Sequence, residues 1–218
     1  MSAEFFETIK RGDSDGVIRQ LAASPELAEA EDGGVTAVLV AAYWRKNEIA
    51  LLIARSKREL SIFEAAAIGD TDRVRAHLDR DPALSIAFAP DGFQPLGLAA
   101  FFGHADVARL LLERGADPST PSRNEMGVTP LASALAAGHD RIARALVEAG
   151  ADVRAKQRHG WTPLHAAAEH GSTEMVTLLL AHRADPSARN DVGMSAADYA
   201  RSKGNEELAR LIEARISN

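Results

Sequence analysis

Three histidines within twelve residues are the first candidates for chemistry in this chain. His159, His165 and His170 could hold a metal ion if their ring nitrogens converged. However, His165 and His170 are five residues apart on one predicted short helix, and that spacing does not place two ligands on one helix face. No carboxylate completes a metal-ligand pattern, so we predict no metal site.

Two other pairs combine an imidazole with an acid or a hydroxyl. Glu169 and His170 are adjacent, but neighbours in a helix point apart and do not form an acid–base pair. Ser133 precedes His139 without the sharp-turn motif or the orienting acid that a serine nucleophile needs. The sequence also has no glycine-rich phosphate loop. We therefore expect no catalytic residue, no cofactor and no enzymatic activity.

A repeated segment surrounds these residues and determines where they must lie. Its clearest copy is Trp161-Thr162-Pro163-Leu164-His165-Ala166-Ala167-Ala168-Glu169-His170-Gly171. Related copies span residues 93–103 and 128–138, and fainter ones end at Gly12, Arg45, Gly69 and Gly204. The last residues of the copies, here called closing positions, are 12, 45, 69, 103, 138, 171 and 204, with spacings of 33, 24, 34, 35, 33 and 33. A period near 33 predicts a stacked-repeat fold that presents a long surface.

Each copy carries the start and stop signals of two short helices. Thr162-Pro163 places a capping hydroxyl before a proline, which fits the first turn of a helix. This first helix runs to the closing position, and a second helix carries an apolar stripe such as Val107, Leu110 and Leu111. Gly115 then ends the second helix. A polar loop, here called a finger, leads to the next unit.

These marks resemble the ankyrin repeat family across essentially the whole chain, most clearly from residue 91 to 204. The resemblance implies an all-α ankyrin-repeat solenoid of about seven helix-turn-helix units with projecting hairpin-like fingers and one continuous core. It also implies that His165 links adjacent fingers by a hydrogen bond, and that His104 and His139 pack and bond locally. The approximate units of this single domain are 1–33, 34–58, 59–91, 92–126, 127–159, 160–192 and 193–218.

Three local features refine this expectation. Ser24-Pro25-Glu26-Leu27 and Asp81-Pro82-Ala83-Leu84 resemble segments of free-standing bacterial ankyrin proteins. The short spacing before Gly69 leaves no room for a finger, so we predict a gap in the finger row bridged by residues 56–59, as a tolerated deletion or a functional notch. The finger before Thr129 is two residues longer than the one before Thr162, either to reach a partner or because loops absorb insertions.

The family resemblance also indicates which residues would meet a partner. Ankyrin proteins bind other proteins through the finger tips and the inner, concave face of the first helices. In that layout, the two residues before each closing position and the residue before each capping position face inward. The predicted partner-binding residues are Tyr43, Trp44, Phe93, Phe101 and Phe102 as an aromatic patch, Trp161 at its edge, Glu169 and His170 beside it, and Met126 on the long finger. Two alternatives are that these rings fill space between first helices, or that they meet a second copy.

Composition narrows the class of partner and the location. The net charge is −6 and no basic run exceeds Lys57-Arg58, so we expect neither nucleic acid nor an anionic membrane as a partner. The chain has no cysteine, which removes disulfides and thiolate metal sites. Acids near the start do not fit a signal peptide, and no apolar run is long enough to span a bilayer, so we expect a cytoplasmic location.

The sequence thus predicts a protein-binding module whose partner is an unidentified protein, and which is a monomer or self-associates weakly. One alternative is a dedicated inhibitor or regulatory subunit of an enzyme. An alternative of another class is a small-molecule-binding protein or an enzyme, which would need a deep pocket with convergent polar groups.

Overall fold

The computed structural model describes residues 2–216 and consists of short helices that follow one another in pairs. Two or three residues separate the helices of each pair. The α-helices in the described part of the chain are α1 Ser2–Arg11, α2 Ser14–Ala23, α3 Ala37–Tyr43, α4 Asn47–Ser56, α5 Ile62–Ile68, α6 Thr71–Arg80, α7 Pro95–Phe102, α8 Ala105–Glu113, α9 Pro130–Ala136, α10 Asp140–Glu148, α11 Pro163–His170, α12 Thr173–Ala181, α13 Ala196–Ser202 and α14 Glu206–Glu213. The prediction of an all-α solenoid is confirmed.

Hydroxyl side chains start several of the first helices, as predicted from the sequence. The Thr162 hydroxyl accepts a hydrogen bond from the His165 backbone N–H before α11, and Thr129 caps α9 in the same way. Proline follows each of these threonines at the first helical position, where its missing N–H is not needed. These local contacts fix where each pair begins. Among the helices within residues 2–216, none is both long and apolar enough to cross a bilayer.

The fingers are closed by backbone hydrogen bonds near their bases. The first finger is a small antiparallel hairpin of β1 Glu31–Asp32 and β2 Val35–Thr36. In two later fingers, a backbone N–H bonds to the carbonyl four residues on, from Gln157 to Trp161 and from Asn190 to Met194. The equivalent bond of the longer finger runs from Ser122 to Val128. The two extra residues therefore lie between the two bonded residues of this finger, which agrees with the greater length predicted from the sequence.

The buried apolar side chains form two clusters instead of the one continuous core that we expected. The first cluster covers residues 5–60, from Phe5 on α1 to Leu60 before α5. The second runs from Leu39 on α3 to Ile212 on α14 and contains the buried leucines of the later pairs. The clusters meet around α3 and α5, beside the link that lacks a finger.

That shortened link contains a buried ion pair where other units have a finger. The Lys57 ammonium lies 2.9 Å from a Glu64 carboxylate oxygen and 2.9 Å from Glu29. The fingers on either side come together, because a Cβ built on Gly34 would lie 3.4 Å from the Cβ of Pro90. The absence of a finger at residues 56–59 agrees with the sequence, and the fingers on either side of this position lie next to each other.

Candidate functional site

Four of the predicted aromatic residues meet in one group, here called the four-ring cluster. Tyr43 ends α3, Phe93 lies in the finger before α7, and Phe101 and Phe102 end α7. The Tyr43 ring centroid lies 6.5 Å from that of Phe93, 6.2 Å from Phe101 and 5.3 Å from Phe102. Phe101 and Phe102 meet edge to face at 5.0 Å. These are distances at which aromatic pairs attract each other.

The missing finger explains how Tyr43 reaches rings that lie two units away. At the equivalent position, α5 carries Ala67, whose small side chain leaves space above it. The Tyr43 hydroxyl donates a 2.8 Å hydrogen bond to Asp91, a residue of the finger before α7. Burial and the nearby Asp91 charge raise the pKa of the Tyr43 hydroxyl, so it stays a donor. We did not predict Asp91 as part of this site, although an Asp-Gly pair is a sequence signal for a turn.

The four-ring cluster faces both the core and the solvent. Tyr43, Phe93 and Phe102 are half-buried against the larger core cluster, whereas Phe101 is 38% exposed. Phe101 and Phe102 also line a cleft of about 240 Å³, together with Arg45. The predicted space-filling role therefore describes three of the rings, and Phe101 is the ring most available to a partner.

Trp44 stands apart from the four-ring cluster although it follows Tyr43 directly. Its side chain is 53% exposed. The Lys10 ammonium lies 5.9 Å from the centre of the indole ring, within cation–π range. Trp44 thus offers a large exposed apolar surface with a cation beside it.

Trp161 belongs to a second aromatic group and does not lie at the edge of the first. Its ring centroid is 5.3 Å from that of His165 and 4.6 Å from that of Tyr199. The Tyr199 hydroxyl accepts a 2.9 Å hydrogen bond from the Asn190 amide. We did not predict Tyr199, which occupies the position of Ala166 in its own unit; an aromatic in an alanine position was the available signal.

His165 holds this second group together and confirms the implied link between fingers. Its Nδ1 accepts a 3.2 Å hydrogen bond from the Thr162 N–H, and its Nε2 lies 3.1 Å from the Met194 carbonyl on the next finger. Burial lowers the pKa of the imidazole, which favours the neutral ring with its proton on Nε2. The ring is fully buried, so it serves as a structural bridge.

The remaining histidines of interest are spread along the stack. His104 Nε2 lies 2.9 Å from the Ala67 carbonyl, and His139 Nε2 lies 3.2 Å from the Phe101 carbonyl. Each histidine thus contacts the preceding unit, and the prediction that both bond locally is wrong. His159 is exposed on a finger, whereas His165 is buried. Within residues 2–216, no group of three or more His, Asp or Glu side chains is placed to hold a metal ion.

The other predicted contact residues are exposed but separate from the four-ring cluster. Glu169 forms a 3.4 Å ion pair with Lys203 on the next pair of helices. His170 lies over Gly138, where an added Cβ would meet its ring. Met126 is 57% exposed, and its carbonyl accepts a hydrogen bond from the Arg158 N–H of the next finger. The predicted residues thus lie at several places along the stack.

The paired helices, the linked fingers and the finger-bridging histidine define a helical repeat protein with one row of connected loops. The chain belongs to the ankyrin repeat family. Residues 62–157 match a model of three ankyrin repeats, and residues 159–191 match a single ankyrin repeat. The matched region begins at α5, directly after the link that lacks a finger.

A human relative shares part of this repeat region. The DNA-binding protein RFXANK of Homo sapiens is 40% identical over 74 residues, which is 34% of this chain and 28% of the human protein. The similarity therefore spans little more than a quarter of that relative's length. Ankyrin repeats are generally protein–protein interaction modules, and this coarse function applies to the chain.

Proposed function

We propose that the protein binds a protein partner through the inner face of its first helices, with Trp44 and Phe101 as exposed anchors. The observation that carries this proposal is that Phe101 remains 38% exposed while it packs against the rings of Tyr43 and Phe102. A large side chain held rigidly in solvent loses little conformational freedom when it is covered. Trp and other aromatics are also enriched among the residues that contribute most to binding.

The proposed partner is a protein and not DNA, although the human relative is a DNA-binding protein. The net charge of −6 opposes the release of counterions on which DNA binding depends. We assign no catalytic step to the chain and place its action in the cytoplasm. Met126, Trp161, Glu169 and His170 would then act as outer contacts or as parts of the scaffold.

Affinity capture from a lysate of the source cells tests this proposal. The baits are the intact chain and a Trp44→Ala/Phe101→Ala variant, with captured proteins identified by mass spectrometry. An Ile18→Ala/Leu51→Ala variant is the matched control, because these side chains are 49% and 41% exposed on the second helices α2 and α4. All baits are first checked by circular dichroism for an unchanged melting temperature.

We expect a partner that the intact chain and the control retain and that the aromatic variant loses. With the purified partner, the dissociation constant of the aromatic variant should rise about tenfold or more. Equal binding by all three baits would move the interaction away from Trp44 and Phe101 and overturn the proposal.

A further inference from the structure

Arg45 occupies a closing position that is glycine in the other six units. Those glycines, from Gly12 to Gly204, have φ between 74° and 85°. Arg45 adopts the same left-handed conformation with φ 55°. Glycine enters this region freely, whereas a residue with a Cβ meets its own backbone there. The arginine therefore carries a local strain that the other units avoid.

Within residues 2–216, the Arg45 guanidinium has no partner that would offset this strain. Among the described residues, it forms neither an ion pair nor a side-chain hydrogen bond. It borders two clefts at once, one of about 240 Å³ with Phe101 and Phe102, and one of about 300 Å³ with Arg11 and Lys46.

The charge around Arg45 favours an anionic ligand. Arg11, Arg45 and Lys46 line the second cleft, and Glu48 is the acid among its lining residues. The charges of these four side chains leave an excess of positive charge, although the chain as a whole is acidic. A planar guanidinium next to exposed aromatic rings suits a carboxylate beside an apolar side chain.

We infer, building on the proposed function, that Arg45 binds an Asp or Glu carboxylate of the partner while Phe101 receives an apolar side chain from the same short segment. The occupant of the Arg45 cleft is thus an acidic peptide segment with an apolar anchor. The aromatic face supplies contact area, and Arg45 selects the acidic partner.

A displayed library of random peptides of about twelve residues tests this inference without a known partner. The library is selected on the intact chain, and enriched peptides are synthesised and titrated. The test variant is Arg45→Gly, which introduces the residue of the other six units and should therefore fold. The matched control is Arg183→Gly, because Arg183 has φ 67° after α12, where Gly115 and Gly150 follow the equivalent helices.

We expect the enriched peptides to carry Asp or Glu within a few residues of an apolar side chain. Their affinity should fall about tenfold or more in Arg45→Gly and stay unchanged in Arg183→Gly. Arg45→Lys should recover part of the loss, since it keeps the charge without the planar fork.

Three results would overturn the inference. They are peptides without acidic enrichment, peptides that bind Arg45→Gly as tightly as the intact chain, and the absence of any enriched peptide. If the peptides ignore Arg45 but lose affinity to Phe101→Ala, the proposed aromatic face stands and only the role of Arg45 fails. If Arg45→Gly weakens binding while Phe101→Ala does not, the aromatic face fails instead.

Discussion

Glu64 and His165 are each the third residue after the cap of a first helix, and the structure uses them differently. Each is buried and each bonds back to the residue that caps its own helix, Ser61 or Thr162. His165 also reaches the Met194 carbonyl on the next finger. Glu64 has no finger beside it and pairs with Lys57 from the shortened link. The charged pair of Glu64 and Lys57 thus takes the place of the neutral His165 bridge where the finger is missing.

Glu64 marks the N-terminal of two junctions between units, and His165 marks the C-terminal one. The aromatic groups near these two junctions also differ in whether their rings are packed or exposed. At the C-terminal junction, Trp161 packs on His165 and Tyr199, and the Tyr199 hydroxyl is bonded to the finger through Asn190. At the N-terminal junction, Tyr43 spans the space above α5 and leaves Phe101 partly in solvent. A complete finger therefore goes with rings used for structure, and a missing finger goes with a ring left free for contact.

The largest expected losses of stability come from truncating buried leucines, and they should be similar near the two junctions. Leu111 and Leu179 are fully buried in the second helices near the two aromatic groups. Leu111→Ala and Leu179→Ala should each lower the free energy of unfolding by about 2–5 kcal/mol, because each leaves a cavity. Urea denaturation followed by circular dichroism measures both. Strongly unequal costs would mean that the cores themselves differ, and not only the aromatic positions.

Glu64→Gln should cost about 3 kcal/mol at neutral pH, since it leaves the buried Lys57 with Glu29 as its remaining acid. Burial opposes the charge on Glu64, but hydrogen bonds from Lys57 and Ser61 outweigh it and hold the pKa below its ordinary value of 4.5. The folded state therefore binds fewer protons than the unfolded state, and this contribution to stability is lost as the pH falls from 4.5 through the folded-state pKa.

Denaturant titrations over a range of pH values check this prediction. The difference between the intact chain and Glu64→Gln should shrink as the pH falls below 4.5, because the protonated acid resembles the amide. Glu29→Gln is the control, since Glu29 is 53% exposed and its ion pair should contribute at most about 1 kcal/mol. A difference that stays constant with pH would show that Glu64 is not the charged bridge.

Trp161→Ala and Phe101→Ala compare the two aromatic groups directly. Trp161→Ala should lower the free energy of unfolding by about 2 kcal/mol, because it removes the packing against His165 and Tyr199. Phe101→Ala should cost about 1 kcal/mol, because Phe101 is 38% exposed and loses less packing on truncation. Thermal and urea unfolding of both variants measure the two losses of stability. A larger loss for Phe101→Ala than for Trp161→Ala would contradict the assignment of Trp161 as structural and Phe101 as available for contact.

The smallest expected effect has the opposite sign. Arg45→Gly should raise the free energy of unfolding by about 0.5–1 kcal/mol, because glycine adopts the left-handed conformation without strain. Arg183→Gly should do the same by a similar amount. Differential scanning calorimetry resolves such shifts, and a destabilised Arg45→Gly would show that the arginine supports the fold.

Local signals account for the parts of the fold that the sequence predicted. The cap at Thr162, the longer finger near Met126 and the link without a finger all depend on residues that are close in the chain. The family resemblance supplied the bond between His165 and the next finger.

The parts that the sequence did not predict depend on how units stack. The bond from Tyr43 to Asp91 needs the fingers to close over the missing one, and the space for the Tyr43 ring needs a small residue at Ala67. The contact of Trp161 with Tyr199 likewise joins two neighbouring units. The spacing of residues along the chain does not predict these contacts between units.

The division of the buried side chains into two clusters also affects how the chain folds. A linear stack gains stability from each unit and from each interface between neighbours. A weak interface therefore limits how many units fold and unfold together. Here that interface lies between α3 and α5, where the clusters meet. Helices α1 to α4 are therefore expected to open and close together, as one segment of lower stability with faster amide hydrogen exchange than α7 to α12.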